Sequence, residues 1–152
     1  MKISKFAKDN KIIVQAFNAD VIYGKNHLIS AFEHAKRSID RKTNTTNSLE
    51  MEILLYASGE RQLKLAIPKM GVKKGDSNVT LFFVKESEDK VLDNLIKDLL
   101  KQLYLERDDN VLEGDVNTLK KFGITENEIE TVTKAKYGNL ILEKVALVDI
   151  IK

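Results

Sequence analysis

Residues 48–62, SLEMEILLYASGERQ, form the stretch that decides the fold. Residues 49–57 place apolar side chains on nearly every side of a helix, which is typical of a helix that is buried or covered by a partner. We predict that Asn47 caps this helix, because it precedes Glu50 by three residues, the spacing of a capping box. The Ser58-Gly59 pair is predicted to end the helix, since glycine is the usual C-terminal stop.

Amphipathic helices are predicted on both sides of this central one. Asn26 is predicted to cap an upstream helix. The polar loop 41–47 is predicted to follow this helix. Its apolar stripe recurs at three- and four-residue steps, at Leu28, Phe32, Ala35 and Ile39. Downstream, a short helix is predicted from about Glu60, with Pro68 and Gly71 ending it.

The strands are predicted from β-branched and aromatic runs. Residues 11–17 and 21–23 are predicted as two strands joined by a turn, and residues 78–85 as a central strand buried on both faces. Further helices are predicted after Ser87 and after Thr125. Residues 140–151 fit either a helix or a strand by periodicity alone, and we favour a helix. We therefore expect an α+β fold in which a single small mixed or antiparallel sheet is wrapped by several helices, with residues 1–152 forming a single domain.

Composition excludes several classes of protein. The 152 residues are 43% hydrophobic and 32% charged, and they contain no cysteine. Disulfides, thiolate catalysis and cysteine-based metal sites are therefore excluded. The start of the chain lacks the apolar run of a secretory signal, and no apolar segment is long enough to span a bilayer. We expect a cytoplasmic protein with no membrane contact.

Charge is distributed unevenly along the chain. Residues 1–85 carry 15 Lys/Arg against 8 Asp/Glu, whereas residues 86–152 carry 10 against 15. The densest basic stretch is 36–74, with nine basic and four acidic residues. This pattern indicates either an ordinary solvated surface or an electrostatic footprint for nucleic acid on the N-terminal half.

Motifs for catalysis or metal binding are missing from the sequence. His27 and His34 stand seven residues apart, about 10 Å along a helix, too far to ligate one metal ion. Residues 71–75, GVKKG, lack the Lys-Ser/Thr pair of a phosphate loop. We therefore predict no enzyme activity, no cofactor, no metal and no small-molecule substrate. His27 keeps a possible ligand role, because the start of a helix attracts phosphate.

Three segments together carry a resemblance to a known family: residues 48–72, the helix 26–32 and the terminal LILEKVALVDI at 140–150. They resemble the small kinase-binding subunit of the KEOPS complex, the PRPK-binding protein family (TPRKB in animals), and the archaeal form most of all. The resemblance extends from about residue 12 to the end. It implies a non-catalytic subunit that docks on an atypical PRPK-like kinase/ATPase. It also implies recruitment of tRNA by its unpaired CCA 3′ end for threonylcarbamoyladenosine modification.

An unpaired RNA tail requires cations, polar groups and stacking rings. The candidate RNA-binding residues are Lys25, Asn26, His27, Arg37, Arg41, Lys42, Tyr56, Ser58, Gly59, Arg61, Gln62 and Lys64. Tyr56 is either a stacking ring or a core residue, and Gly59 is either a close-approach point or a simple helix stop. For the kinase we expect an apolar patch with a polar rim. Its candidate residues, which are otherwise core, are Ile29, Phe32, Leu140, Ile141, Val145 and Val148.

Two other functions fit parts of the sequence. Residues 119–129 have the form of a DNA-binding helix-turn-helix around Gly123, but the second helix would carry Glu126 and Glu128 towards the DNA phosphates, which repels them. An enzyme that binds a phosphorylated substrate on the basic face would still need a nucleophile or a general base, and no constellation supplies one.

Overall fold

The computed structural model describes residues 2–76, 78–85 and 91–152. Over these residues the chain forms eight α-helices and two strands, with short 3-10 turns between some of them. The helices are α1 (Lys2–Asp9), α2 (Gly24–Asp40), α3 (Leu49–Ser58), α4 (Leu63–Met70), α5 (Val91–Gln102), α6 (Val116–Phe122), α7 (Glu126–Glu130) and α8 (Tyr137–Ile151), and the strands are β1 (Ile13–Asn18) and β2 (Val79–Val84). The predicted α+β class is confirmed.

The sheet consists of β1 and β2, paired antiparallel with Ile13 opposite Val84 and Asn18 opposite Val79. Side chains alternate between its two faces. On one face Phe17 and Phe82 join the main core of helices, whereas Leu81 and Phe83 on the other face pack in a smaller cluster with α1 and α5. Both faces of β2 are therefore covered, as predicted, but β2 is an edge strand and not a central one.

Helix α3 is the centre of the main core. Its residues 52–58 are all buried, in agreement with the apolar run in the sequence. It packs against α2, α4 and α8, which surround it. Gly59 ends the helix with a φ of 71°, a left-handed conformation that glycine adopts without steric cost. The predicted stop at this position is confirmed.

Helices α2 and α8 lie side by side and run in the same direction. The Tyr23 ring, just before α2, lies against Gly138 in the first turn of α8. Further along, His34 Nδ1 lies 2.7 Å from Asp149 Oδ2. In both contacts the α8 residue follows its partner by the same number of positions in the sequence. The two helices therefore advance together and are parallel. Their N-termini therefore meet at one end of the molecule.

Several predicted boundaries are wrong by a few residues. The cap of α3 is Ser48, whose hydroxyl accepts from the backbone N–H of Met51, and not Asn47. Helix α2 begins at Gly24, so Asn26 lies inside its first turn. Pro68 lies within α4 instead of ending it. At α3 the difference lies only in which neighbouring side chain reaches a free backbone amide, a detail that spacing alone leaves open.

Other predictions concern whole elements. Residues 21–23 do not form a strand, because residues 19–21 form a 3-10 turn that the side chain of Asn18 caps. The helical prediction for residues 140–151 is confirmed by α8, and Thr125 caps α7 as predicted. The predicted cap Ser87 lies outside the described residues.

Candidate functional site

His27 connects the start of α2 to the end of α3. Its Nδ1 accepts a hydrogen bond from the backbone N–H of Tyr23 (3.0 Å), and its Nε2 lies 2.8 Å from the carbonyl oxygen of Ala57. An N–H can only donate and a carbonyl can only accept, so the imidazole is neutral with its proton on Nε2. Burial lowers the pKa of His27 to about 4. The side chain is thus a buried structural connection, and the predicted RNA contact by His27 is wrong for this conformation.

Tyr56 and Ser58 are also removed from the surface. Both residues have no exposed area. The Tyr56 hydroxyl donates to Asp149, while its ring stacks against His34 with centroids 5.5 Å apart. A base can stack only on an exposed ring face, so the core interpretation of Tyr56 holds and the stacking interpretation does not. The Ser58 hydroxyl donates to the carbonyl of Leu55 (2.6 Å).

Gly59 lies close to α8 and α6. A Cβ at this position would come within 3.3 Å of the Lys144 Cβ and 3.5 Å of the Phe122 ring. Glycine is required here both by its positive φ and by this approach. The atoms that lie close to Gly59 therefore belong to side chains of the protein itself.

Gly59 is partly buried, and all the other remaining RNA candidates are exposed. The exposed candidates lie at three places. Lys25 and Asn26 belong to the first turn of α2. Arg37, Arg41 and Lys42 lie at the other end of this helix, about 24 Å away at the helical rise. Arg61, Gln62 and Lys64 surround the start of α4. The exposed cations thus occupy both ends of α2 and one end of α4.

A cavity of about 600 Å³ lies where the N-termini of α2 and α8 meet. Lys25, Asn26 and His27 line it, but Ser58 and Gly59 do not. The Tyr23 ring forms one wall and lies between two glycines: a Cβ on Gly114 would fall 2.2 Å from the ring. The cavity therefore adjoins the RNA candidates at the start of α2 and not those at the Ser58-Gly59 break.

A buried carboxylate network connects the C-terminus of α8 to α2 and α3. Glu52 is fully buried and accepts hydrogen bonds from Ser38 Oγ (3.0 Å) and Thr46 Oγ1 (2.6 Å), and Lys152 Nζ lies 2.8 Å away. Burial by itself would raise the pKa of Glu52, but these hydrogen bonds lower it below its usual value. The carboxylate is thus charged and satisfied, and it fixes the loop between α2 and α3.

Some apolar residues of α8 lie in the core, and others lie at the surface. Leu140, Ile141, Val145 and Val148 are buried in the main core. The predicted partner contact by these four side chains is therefore wrong for this conformation. Their exposed neighbours form what we call the α8 patch: Leu147 (37% exposed), Ile150 (77%) and Ile151 (45%).

The two partner candidates on α2 also differ. Ile29 is 46% exposed. The Phe32 ring is half-buried and packs edge-on against Phe82, with centroids 6.0 Å apart. Ile29 is thus available to a partner, whereas Phe32 mainly joins α2 to the sheet.

Residues 2–76, 78–85 and 91–152 contain neither a metal-binding cluster nor a membrane-spanning helix. No group of three or more His, Asp or Glu side chains there is placed to hold a metal ion. Among the helices of this part of the chain, none combines the length and apolarity needed to cross a bilayer.

A helical scaffold with exposed apolar side chains on its last helix is typical of a protein that binds another protein. Comparison with known proteins identifies the family: the chain belongs to that of the kinase binding protein CGI-121, whose model matches residues 2–149. A relative from Methanocaldococcus jannaschii, "Regulatory protein Cgi121", is 36% identical over 142 residues, which cover 91% of this chain and 84% of the relative. The resemblance stated from the sequence is thus confirmed at the level of the family.

The α8 patch and the Glu52 network were not predicted from the sequence. In an all-apolar helix, periodicity does not distinguish the buried side from the exposed side. Glu52 belongs to the first turn of α3, where the helix dipole favours a carboxylate that faces solvent. The signal that could have indicated its burial is its place among Met51, Ile53 and Leu54, where a charged residue requires partners.

Proposed function

We propose that this protein is a non-catalytic subunit of a KEOPS-type complex. It binds the atypical PRPK-like kinase/ATPase and recruits tRNA through the CCA 3′ end for threonylcarbamoyladenosine modification. The observation that carries the kinase-binding part is the family match over residues 2–149 together with the exposed α8 patch. The tRNA part rests on the exposed cations and on the resemblance of the sequence to the archaeal subunit.

The α8 patch is the proposed kinase contact. A folded monomer gains little from leaving Ile150 77% exposed, whereas a partner that covers this side chain gains the free energy of its burial. That contribution is about 1.5–3 kcal/mol, or roughly a 10- to 100-fold change in Kd. Ile29 on α2 is a further exposed apolar side chain that is available to a partner.

The kinase contact is tested by isothermal titration of the purified kinase with the Ile150→Glu variant. Leu65→Glu is the matched control, because Leu65 is 49% exposed on α4, far from the last turn of α8 in sequence. We expect Ile150→Glu to weaken binding at least tenfold and Leu65→Glu to leave Kd unchanged, with circular dichroism verifying that both are folded. Equal affinities for wild type and Ile150→Glu would remove the patch from the interface.

The tRNA contact is proposed for the exposed cations at the helix ends. Arg61, Lys64 and Lys25 supply positive charge for phosphates, while the amides of Asn26 and Gln62 can hydrogen-bond to unpaired bases. His27, Tyr56 and Ser58 are buried, so we leave them out of the proposed contact. Arg37, Arg41 and Lys42, at the far end of α2, would then contact the rest of the acceptor arm.

Gel-shift titrations at two salt concentrations test this assignment. We expect Arg61→Glu with Lys64→Glu to weaken tRNA binding and reduce its salt dependence, because two phosphate contacts are lost. Lys97→Glu with Lys101→Glu, the same charge change on α5 in the acidic half, should have a smaller effect. Removal of the CCA end should abolish most of the binding, whereas tRNA lacking CCA that binds like the intact molecule would contradict the proposal.

The helix-turn-helix alternative is tested by the same titrations. Helices α6 and α7 do form, with a left-handed Gly123 after the first helix. However, α7 has only five residues, and three of them are glutamates. Phosphates would be repelled by such a helix, so we expect duplex DNA to bind more weakly than tRNA.

A further inference from the structure

The free edge of β2 presents backbone groups that have no partner in the described part of the chain. Ala19 N–H donates to the Asn78 carbonyl (3.2 Å), so the pair Ala19–Asn78 is hydrogen-bonded across the sheet. Hydrogen-bonded and non-hydrogen-bonded pairs alternate in an antiparallel ladder. The backbone N–H and C=O groups of Val79, Leu81 and Phe83 therefore point away from β1. No hydrogen bond to these groups occurs among the described residues.

A cavity of about 590 Å³ runs along this same edge. It is lined from one face of the sheet by Ile96 and Leu100 of α5, and from the other by Leu112, which packs against the main core. Val79, Leu81 and Phe83, whose backbone groups point away from β1, all line this cavity as well. The outward groups of residues 79–83, about 13 Å of strand, therefore open into a preformed groove.

The far wall of the groove is acidic. Residues 103–115 contain five carboxylates and one cation, Arg107. Arg107 Nε lies 3.2 Å from Asp109 Oδ1, so its charge is already paired. Glu106, Asp108 and Asp109 line the cavity together with two cations, Arg107 and Lys25 of α2, so that carboxylates are in excess by one. Such a wall attracts a basic segment and repels both RNA phosphates and the equally acidic edge of a second copy.

Tyr104 stands at the mouth of the groove in a conformation that favours glycine. It follows α5 with a φ of 55°, and the N–H of Leu105 donates to the carbonyl of Leu100 (2.9 Å), as in a Schellman helix end. Its side chain is 92% exposed, so the ring adds little to the packing of this chain. An exposed tyrosine held at a strained backbone position beside a cavity is typical of a binding residue.

We propose that an extended, lysine- or arginine-rich segment of a protein partner binds along the free edge of β2 as an added strand. Its backbone hydrogen-bonds to Val79, Leu81 and Phe83, as in other complexes formed by strand addition. Its apolar side chains enter the groove against Ile96 and Leu100, and its cations face the acidic wall. The strand edge belongs to residues 79–83 and the carboxylates to residues 106–109, and none of the residues that line the groove belongs to the α8 patch.

The first test is titration of the full chain with an end-blocked heptapeptide of alternating lysine and valine, followed by amide NMR spectra and calorimetry. Two control peptides replace lysine with glutamate or carry N-methyl groups on alternate residues, which removes the donors of one strand edge. We expect the lysine peptide to bind at least tenfold more tightly than either control. The amides of Val79, Leu81 and Phe83 should shift and become protected from exchange.

Three variants then separate binding from folding. Val79→Pro removes an outward donor at the first residue of the strand and leaves the ladder to β1 intact. Tyr104→Gly removes the ring and relieves the backbone, so it should weaken the peptide at least threefold without lowering the thermal midpoint. Glu106→Lys should also weaken the peptide, whereas Glu130→Lys on α7 serves as the charge-matched control.

The outcomes distinguish the proposal from its rivals. Equal binding of the lysine and glutamate peptides, or unchanged binding by folded Val79→Pro, would overturn it. Shifts confined to other surfaces would overturn it too. Protection of the same three amides that grows with protein concentration, without peptide, would assign the edge to a second copy of this chain and not to a partner.

Discussion

Acidification from pH 7 to pH 5 should destabilise this protein through His27. The imidazole is neutral and buried, and it uses both nitrogens, one to accept from Tyr23 N–H and one to donate to the carbonyl of Ala57. A second proton on Nδ1 would remove the acceptor for Tyr23 and place a charge in the core. The folded state therefore resists protonation, whereas the unfolded state does not.

The size of the effect follows from the pKa of His27 in the two states. Burial lowers this pKa to about 4 in the folded protein, from the ordinary value of 6.5. Above pH 6.5 neither state is protonated, and the free energy of unfolding is unaffected. As the pH falls from 6.5 towards 4, only the unfolded state takes up the proton, and stability is lost. The expected loss between pH 7 and pH 5 is about 2 kcal/mol, approaching about 3 kcal/mol below pH 4.

Urea denaturation at pH 7, 6 and 5, followed by circular dichroism, measures this loss. His27→Gln is the control, because glutamine has both a donor and an acceptor but does not titrate. It should be less stable than wild type at pH 7 and should lose much less stability on going to pH 5. If the wild type is equally stable at pH 7 and pH 5, or if His27→Gln loses as much as wild type, the role assigned to His27 is wrong.

Three further predictions concern stability and can be checked by the same denaturation experiments at pH 7. Thr80→Val should stabilise the protein by about 1 kcal/mol, because the buried Thr80 hydroxyl has no hydrogen-bond partner within the described chain; a destabilised variant would mean that the hydroxyl is satisfied. Lys152→Met should destabilise it by about 3 kcal/mol, because the fully buried Glu52 loses its ionic partner; a change below about 1 kcal/mol would contradict that role. Gly114→Ala should cost about 1–3 kcal/mol, since its Cβ would displace the Tyr23 ring, and an unchanged midpoint would refute this close contact.

Local signals in the sequence predicted most of the helices correctly. The apolar run of α3, its stop at Gly59 and the cap at Thr125 depend on neighbouring residues, and all three are found. The predicted strand at 21–23 failed because Asn18 satisfies the N–H of Asp20 and starts a 3-10 turn. β-Branched residues favour strands only where a neighbouring strand is available for pairing.

The candidate site was predicted less well, because it depends on exposure. Tyr56 and His27 were plausible RNA ligands by residue type, but contacts with Asp149 and Ala57, distant in sequence, bury them. Leu140 and Ile150 have the same character in the sequence, yet one is 7% and the other 77% exposed. Residue type indicates what a side chain can do, and only its neighbours in space decide whether it reaches a ligand.

The sequence by itself determined the α+β class, the central buried helix, the family and the uneven charge, because each of these is encoded in composition or in residues that are close along the chain. Tertiary structure alone decided which side of α8 faces outward, that the edge of β2 opens into a groove and that Glu52 is buried. Those features arise from contacts between segments far apart in the chain, such as Lys152 with Glu52, which are 100 residues apart. Their free energies depend on desolvation and on the geometry of the assembled fold, and no local pattern carries that information.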